Sequence, residues 1–353
     1  MKVVSIVGAR PQFIKAAPVS RILRRTCEEV LVHTGQHYDH EMSQVFFEEL
    51  GIPTPDVNLG VGSGSHGQQT GEMLAGIERV LLTKDPAWVL VYGDTNSTLA
   101  GSLAAAKLHI PVAHVEAGLR SFNQAMPEEI NRVLTDHVSD LLLCPTETAV
   151  RNLAAEGIHQ GVYLVGDVMY DAVLHNSCIA QERSRVLEAV GVRPGEYLLL
   201  TVHRPANADN PARLATIVDA LGQAGQPVVF LVHPRTQKML STLDVQMPEN
   251  LLLQEPVGYL DMLALEGHAR LILTDSGGVQ KEAYWFGVPC ITLREETEWV
   301  ETVSAGWNVL VGADRDRIAD AICNFAPPVD RPPLFGDGRA AERIVSLVMG
   351  EGL

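Results

Sequence analysis

Three carboxylates in the N-terminal half, Asp94, Glu116 and Glu128, stand just behind apolar runs or a short loop beyond one. Asp94 lies in GDTNST (93–98) after WVLVY, Glu116 in EAGLR (116–120) after VAHV, and Glu128 in PEEINR (127–132). Carboxylates crowded into a dehydrated site push one another's pKa upward, which makes them candidates for general acid and base. Each has a plainer alternative or a stronger case. Asp94 is also placed to cap a helix over 97–107, and Glu128 is four residues before Arg132, the spacing of an ordinary helical ion pair. Glu116 directly follows a buried run and precedes a glycine turn, so a solvated role fits it less well. Cations accompany the acids, because GARPQFIK (8–15) puts Arg10 and Lys15 behind VVSIV. A dinucleotide turn there would read G-x-G-x-x-G, but Arg10 and Phe13 occupy the second and third glycine places. Side-chain cations at that point suit the charge that grows on a departing diphosphate.

A second set lies in LILTDSGGVQKE (271–282). Gly277 and Gly278 let backbone N–H groups approach an anion at the start of a helix, and Ser276 adds a hydroxyl donor. Glu282, four residues past Gly278, is placed to accept from a ribose diol. His203, followed by Arg204, and His233 each end an apolar run, where side chains face ligands. The histidines of HTGQHYDH (33–40) match no zinc spacing and have no cysteine among them, so no metal is expected.

These residues need strands to carry them. Apolar runs at 3–7, 29–33, 88–92, 112–115, 141–144 and 162–165 read as strands, and a second series occupies 197–202, 228–232, 251–253, 271–274 and 290–293. Helical patterns fall between them, at 20–26, 40–50, 68–83 and 97–107, and another spans 174–187. Most of the strand-like runs are continuously apolar, and their alternation with helices predicts parallel sheets covered on both faces, with ligands beyond the carboxyl ends of the strands. The expected fold class is therefore α/β, with one Rossmann-like domain over 1–167 and another over 168–338. The last helical stretch, 339–353, can pack on either half, and a return to the first domain is one option.

Composition narrows the function. A chain of 353 residues exceeds one ordinary domain and suits two of about 150–200 residues. A net charge of −16 argues against nucleic acid and against an anionic membrane surface. No segment reaches the ~18 continuous apolar residues of a membrane span. The short apolar start reads as a first strand and not as a signal peptide. Five cysteines, odd in number and without a C-x-x-C pair, read as mostly buried reduced thiols, and the expected location is cytoplasmic.

Together, GARPQFIK (8–15), TGQH (34–37), GDT (93–95), HVEAGLR (114–120), PEEINR (127–132), HR (203–204) and DSGGVQKE (275–282) resemble the non-hydrolysing UDP-N-acetylglucosamine 2-epimerases. The likeness runs in order over residues 1–310. It implies a GT-B fold, two Rossmann-like domains whose parallel sheets face a central cleft. It also implies a reaction at C2 of the sugar without a cofactor: UDP is eliminated across C1–C2 to give a 2-acetamidoglucal, then re-added with the opposite configuration. By motif position, Asp94, Glu116 and Glu128 fall on the catalytic carboxylates. Arg10, Lys15, Arg132 and His203 fall on substrate-contacting cations, with His203 also a catalytic candidate. Ser276, Gly277, Gly278 and Glu282 fall on the nucleotide site. The implied partners are a UDP-sugar and UDP, the implied assembly is a homodimer, and the implied setting is polysaccharide biosynthesis.

There are departures from the family pattern. G-A-R-P-Q replaces G-T-R-P-E, Ala206 stands where relatives often keep a Glu, and TEWVE (297–301) replaces T-E-R-P-E, which removes an arginine at Trp299. The continuation YDHEM (38–42) differs from allosterically regulated bacterial forms. The TEWVE and HTGQHYD forms look more like relatives acting on UDP-2,3-diacetamido-2,3-dideoxyglucuronate, the alternative to UDP-GlcNAc as substrate. A hydrolysing relative, a GT-B glycosyltransferase and a non-catalytic nucleotide-sugar sensor complete the alternatives. Three buried negative charges would gain a sensor of anions nothing.

Overall fold

Val3, Val4, Ile6 and Val7 of the first apolar run are all fully buried, as a strand covered on both faces requires. In a computed structural model the described residues are 1–36, 51, 54–241 and 247–351. The helical pattern at 40–50, the stretch from His37 onward in HTGQHYDH, and YDHEM lie outside them. The chain divides into two compact units, Met1–Leu174 with Phe335–Leu353, and His175–Leu334.

In the first unit, β1 (Lys2–Val7) leads into α1 (Arg10–Thr26), followed by β2 (Glu28–His33), β3 (Val57–Asn58) and α2 (His66–Lys84). Next come β4 (Trp88–Tyr92), α3 (Asn96–Lys107), β5 (Val112–Val115) and α4 (Pro127–His137). The series closes with β6 (Leu141–Cys144), α5 (Glu147–Ala155), β7 (Val162–Leu164) and α6 (Val168–Arg183), the helix within which the two units divide. The seven strands are parallel, in the order β3-β2-β1-β4-β5-β6-β7. The chain therefore reverses direction across the sheet between β1 and β4, where open α/β sheets bind ligands.

The second unit continues with α7 (Val186–Val190), β8 (Leu198–Thr201), α8 (Pro205–Ala208), α9 (Pro211–Leu221), β9 (Val228–Leu231) and α10 (Pro234–Leu240). It is completed by β10 (Leu251–Gln254), α11 (Tyr259–His268), β11 (Leu271–Thr274), α12 (Gly277–Phe286), β12 (Cys290–Thr292), α13 (Val300–Ser304), β13 (Asn308–Leu310) and α14 (Arg315–Asn324). Its six parallel strands run β10-β9-β8-β11-β12-β13, so its switch point lies between β8 and β11. The last helix, α15 (Ala340–Val348), belongs to the first unit and packs on α1. The Asp171 carboxylate receives the N–H groups of Ala340 and Ala341 at 3.2 and 2.7 Å, which ties down the start of that helix.

Several elements differ from the sequence expectation. Helix α1 starts at Arg10 and not near residue 20, because it tolerates Pro18 in its interior and takes Pro11 in its first turn. The helical stretch at 174–187 is two helices, α6 and α7. Strands β3 and β13 are too short to show a period. All five cysteines are free, but Cys178 and Cys323 are exposed and not core thiols. Among the described residues no helix is long and apolar enough to cross a membrane, and no cluster of three His, Cys, Asp or Glu groups could hold a metal.

Candidate active site

Glu116 follows β5 directly and holds a left-handed backbone with φ of 73°. Such a conformation costs a non-glycine residue of order 1 kcal/mol or more, and an observed outlier of this kind is a reason to look for function. Its carboxylate is ion-paired with Lys15 from α1, and both side chains are largely buried. Gly93, after β4, borders this pair. With φ of 65°, a Cβ there would sit 3.1 Å from Lys15 Nζ and 3.4 Å from Glu116 Oε2.

Asp94, the next residue, does not cap the following helix. Thr95 takes that role, accepting from the Thr98 N–H at 3.4 Å. The Asp94 carboxylate is instead bound to Arg132 of α4. Glu128 does not pair with Arg132 four residues on. It is exposed on the first turn of α4, while Arg132 Nη1 donates to Glu129 Oε2 at 2.9 Å. Arg132 Nε is buried with no hydrogen-bond partner among the described residues. Lys15, Asp94, Glu116 and Arg132 thus gather at the carboxyl ends of β4 and β5, and Arg10 is the first residue of α1.

Helix α4 is inverted. Ile130 and Leu134 are 49 % and 45 % exposed, while Glu129, Arg132 and Asp136 are buried. Glu129 was not singled out in the sequence, yet it receives the N–H and hydroxyl of Ser121, the N–H of Phe122 and Arg132 Nη1, each at 2.9 Å. Those bonds hold Phe122 at φ of 57° on an exposed loop. Burial raises the Glu129 pKa, but the four donors outweigh it and hold the carboxyl below its ordinary range. Asp136 was missed as well. It meets His114 Nδ1 at 2.7 Å, receives Arg120 Nη1 at 2.7 Å and the Gly118 N–H at 3.1 Å. His114 Nε2 lies 2.7 Å from the Gly93 carbonyl, so one buried chain of contacts links Asp136 to the Gly93–Asp94 turn. A signal was present: three charged residues, Glu129, Arg132 and Asp136, recur at helical spacing, with Ile130, Val133 and Leu134 among the residues between them.

The substituted glutamine of G-A-R-P-Q has a local cause. Gln12 Nε2 donates to the Tyr92 carbonyl at 2.7 Å and to Thr98 Oγ1 at 2.9 Å, while Oε1 accepts from the Gly8 and Ala9 N–H groups. A carboxylate could not supply the two donors. From the TGQ stretch, Thr34 Oγ1 and Gln36 Oε1 both bond Ser97 Oγ at the start of α3.

In the second unit, Asp275 is fully buried after β11 and organises the turn after β8. Its carboxylate accepts the N–H groups of His203 and Arg204, each at 3.1 Å, and Asn207 Nδ2 at 3.2 Å. His203 Nδ1 stands 3.4 Å from Asp275 Oδ1. Burial lowers the His203 pKa, Asp275 raises it, and Arg204 and His233 lower it again, so the net shift is downward and a neutral ring is favoured. His233 is exposed between β9 and α10.

Ser276 is the N-cap of α12 with no side-chain cap bond, leaving its hydroxyl for another partner, and Gly277 and Gly278 open the helix. A Cβ at Gly277 would lie 2.3 Å from Glu298 Oε1. Glu298, also missed, accepts from Arg204 Nη2 at 3.4 Å and Arg294 Nη1 at 2.9 Å. Burial raises its pKa, but Arg294 and Arg204 hold it below the ordinary carboxyl range. Trp299, the departure in TEWVE, is buried, with Lys281 Nζ 4.0 Å from its ring centroid. Glu282 lies buried on α12.

Two parallel α/β sheets, each with ionisable groups massed at its switch point, define an enzyme built from two Rossmann-like domains of the GT-B class. The chain belongs to the UDP-N-acetylglucosamine 2-epimerase family, whose model matches residues 21–349, and is thereby an epimerase. It is 54 % identical to a UDP-N-acetylglucosamine 2-epimerase homolog of Methanococcus maripaludis, over 99 % of both chains. It is 51 % identical to the UDP-2,3-diacetamido-2,3-dideoxy-D-glucuronate 2-epimerase of Pseudomonas aeruginosa, over 98 % of both. The crystal structure of the Methanocaldococcus jannaschii UDP-GlcNAc 2-epimerase, in complex with UDP-GlcNAc and UDP, matches with a TM-score of 0.88. That match has 46 % identity and covers 99 % of this chain and 100 % of the other.

Proposed function

We propose that this chain interconverts UDP-GlcNAc and UDP-ManNAc without hydrolysis. The observation that carries this reading is the two carboxylates at the ends of β4 and β5, Asp94 and Glu116, each paired to a cation from another element. In the elimination, a carboxylate among Asp94, Glu116 and Glu128 takes the C2 proton. The C2–H electron pair becomes the C1=C2 bond, and the C1–O pair leaves with UDP. Re-addition reverses these changes, with the proton returned to the opposite face of C2. Arg10, Lys15 and Arg132 neutralise the departing diphosphate, which is where preorganised charge acts most strongly. Neutral His203 is available for proton transfer. Ser276, Gly277, Gly278, Glu282 and His233 hold the nucleotide.

A second reading keeps the mechanism and changes the sugar. The 51 % identity to the P. aeruginosa enzyme, together with Trp299 in TEWVE, favours UDP-2,3-diacetamido-2,3-dideoxyglucuronate. NMR in heavy water without added metal or NAD separates the two. Deuterium at C2 with UDP-ManNAc formed from UDP-GlcNAc supports the first, and exchange with the acidic sugar alone supports the second. Free N-acetylmannosamine plus UDP identifies hydrolysis, and no exchange with either sugar leaves nucleotide-sugar binding without turnover. A homodimer and a cytoplasmic location accompany this reading, and sedimentation checks the former.

A further inference from the structure

Glu266 on α11 is fully buried, at 0 % exposure, and neither carboxyl oxygen meets an N–H or O–H donor among the described residues. The group it faces is a second carboxyl, that of Glu282 on the neighbouring helix α12. Two carboxylates in a dry contact lose their hydration and repel each other as well. A single proton between them turns the contact into a hydrogen bond, and the pair then titrates as a unit. Burial first, and Glu282 second, hold the Glu266 carboxyl well above its ordinary range.

Among the described residues, the charged group that acts on Glu266 is Glu282. Glu266 in turn acts on Tyr197, just before β8, and Cys290 on β12, and adds to the larger effect of burial in pushing the ionisation of each upward. Arg185 and Glu188, near and on α7, line a groove with Leu263, Gly267 and His268 of α11, a set that leaves Glu266 out.

We propose that Glu266 is a positioning residue for Glu282: its carboxyl O–H donates to the Glu282 carboxylate and fixes it to accept from the ribose diol of the nucleotide. This role rests on Glu282 holding that ribose, as read above. It deepens the nucleotide site by a group on a different helix that makes no contact with the ligand.

The test is calorimetric binding of UDP across neutral to alkaline pH, with the native protein and the variants Glu266→Gln, Glu266→Met and Glu282→Gln. Glutamine keeps a donor toward Glu282, so Glu266→Gln binds within about threefold of native at neutral pH. Glu266→Met, with no donor, binds about tenfold more weakly, the cost of one lost charge-assisted bond. As pH rises the native pair loses its shared proton and glutamine does not, so native affinity falls relative to Glu266→Gln. Ionisation of the uracil ring affects both proteins alike and cancels in that ratio. A ratio constant with pH, or Glu266→Met binding as native does, overturns the role of Glu266. Should Glu266→Met not fold, the native to Glu266→Gln ratio still decides. Glu282→Gln isolates the underlying reading. If it binds UDP as tightly as native, the ribose contact itself fails; if it is weakened while both Glu266 variants track native, only the positioning role fails.

Discussion

Lys15, one turn into α1, is ion-paired with Glu116, which holds φ of 73° immediately after β5. The pair joins a helix and a strand end distant in sequence, and it brings a cation and a carboxylate together where elimination needs both. Removing the cation by Lys15→Met lowers kcat about 10²–10³-fold, the scale of one lost preorganised charge. The melt should move down as well, because the largely buried Glu116 carboxylate loses the Lys15 cation. Steady-state rates beside a thermal melt check this, and a variant with native kcat would take Lys15 out of the chemistry.

Glu116→Gln abolishes turnover and leaves UDP affinity within a few-fold, because the lost group acts chiefly in the transition state. Single-turnover rates and calorimetry on the same preparation separate the two effects. Retained activity would remove Glu116 from the mechanism.

Gly93 tests whether that geometry is tight. Alanine there meets both strain at φ of 65° and a Cβ within 3.1 Å of Lys15 Nζ. The left-handed conformation alone costs about 1–2 kcal/mol. Gly93→Ala is therefore expected to melt somewhat earlier and to lose far more activity than a melt shift of that size explains. Equal losses in both would mean that the Lys15–Glu116 pair simply moves aside.

The strands were legible because burial on both faces writes itself as a nearly continuous apolar run: Val3–Val7, interrupted at Ser5, and Leu271–Thr274, ending in a threonine, needed no other clue. Their carboxyl ends then pointed to Glu116, Asp94, His203 and Ser276. What stayed hidden were groups whose partners are remote backbone N–H groups. Asp275 looks like a spare acid in DSGG, and only the fold reveals that it grips the His203–Arg204 turn. Glu129 beside Glu128 is a similar case, since spacing alone does not say which of two adjacent acids turns inward. Helix α1 runs on through Pro18 from a start ten residues before the pattern at 20–26, with its first turn held by Gln12 and with α15 packed on it.

Asp136 contributes to the acid sensitivity of the first unit. Burial pushes its pKa up, but His114 and Arg120 outweigh that and hold it below the ordinary carboxyl value. A depressed carboxyl contributes stability that is fully present above its unfolded value, about 3.9, and is lost as pH falls through the lower folded value. Asp136→Asn leaves His114 and Arg120 facing a neutral group in a dry site, at a cost of about 3 kcal/mol. Urea unfolding at neutral pH should show that loss, and the difference between native and variant should shrink on acidification. A gap that widens toward low pH would contradict the assignment.

Glu129 makes the last case, because its two oxygens serve four donors from three residues. In Glu129→Gln one oxygen becomes an amide nitrogen facing N–H groups it cannot accept from, so either Phe122 or the Ser121–Arg132 side is released. An unmade buried bond costs about 1–3 kcal/mol. With the Oε2 side released Arg132 is held by Asp94 alone; with the Oε1 side released the loop carrying Phe122 loses what keeps it at φ of 57°. The expected result is a lower melting point together with a kcat loss of about tenfold or more, with UDP affinity lowered less than kcat, because the ribose contacts are read in the other unit while Arg132 meets the diphosphate chiefly as it departs. Native kcat in a destabilised Glu129→Gln protein would show that Arg132 keeps its place without this carboxylate, and would confine Glu129 to the fold.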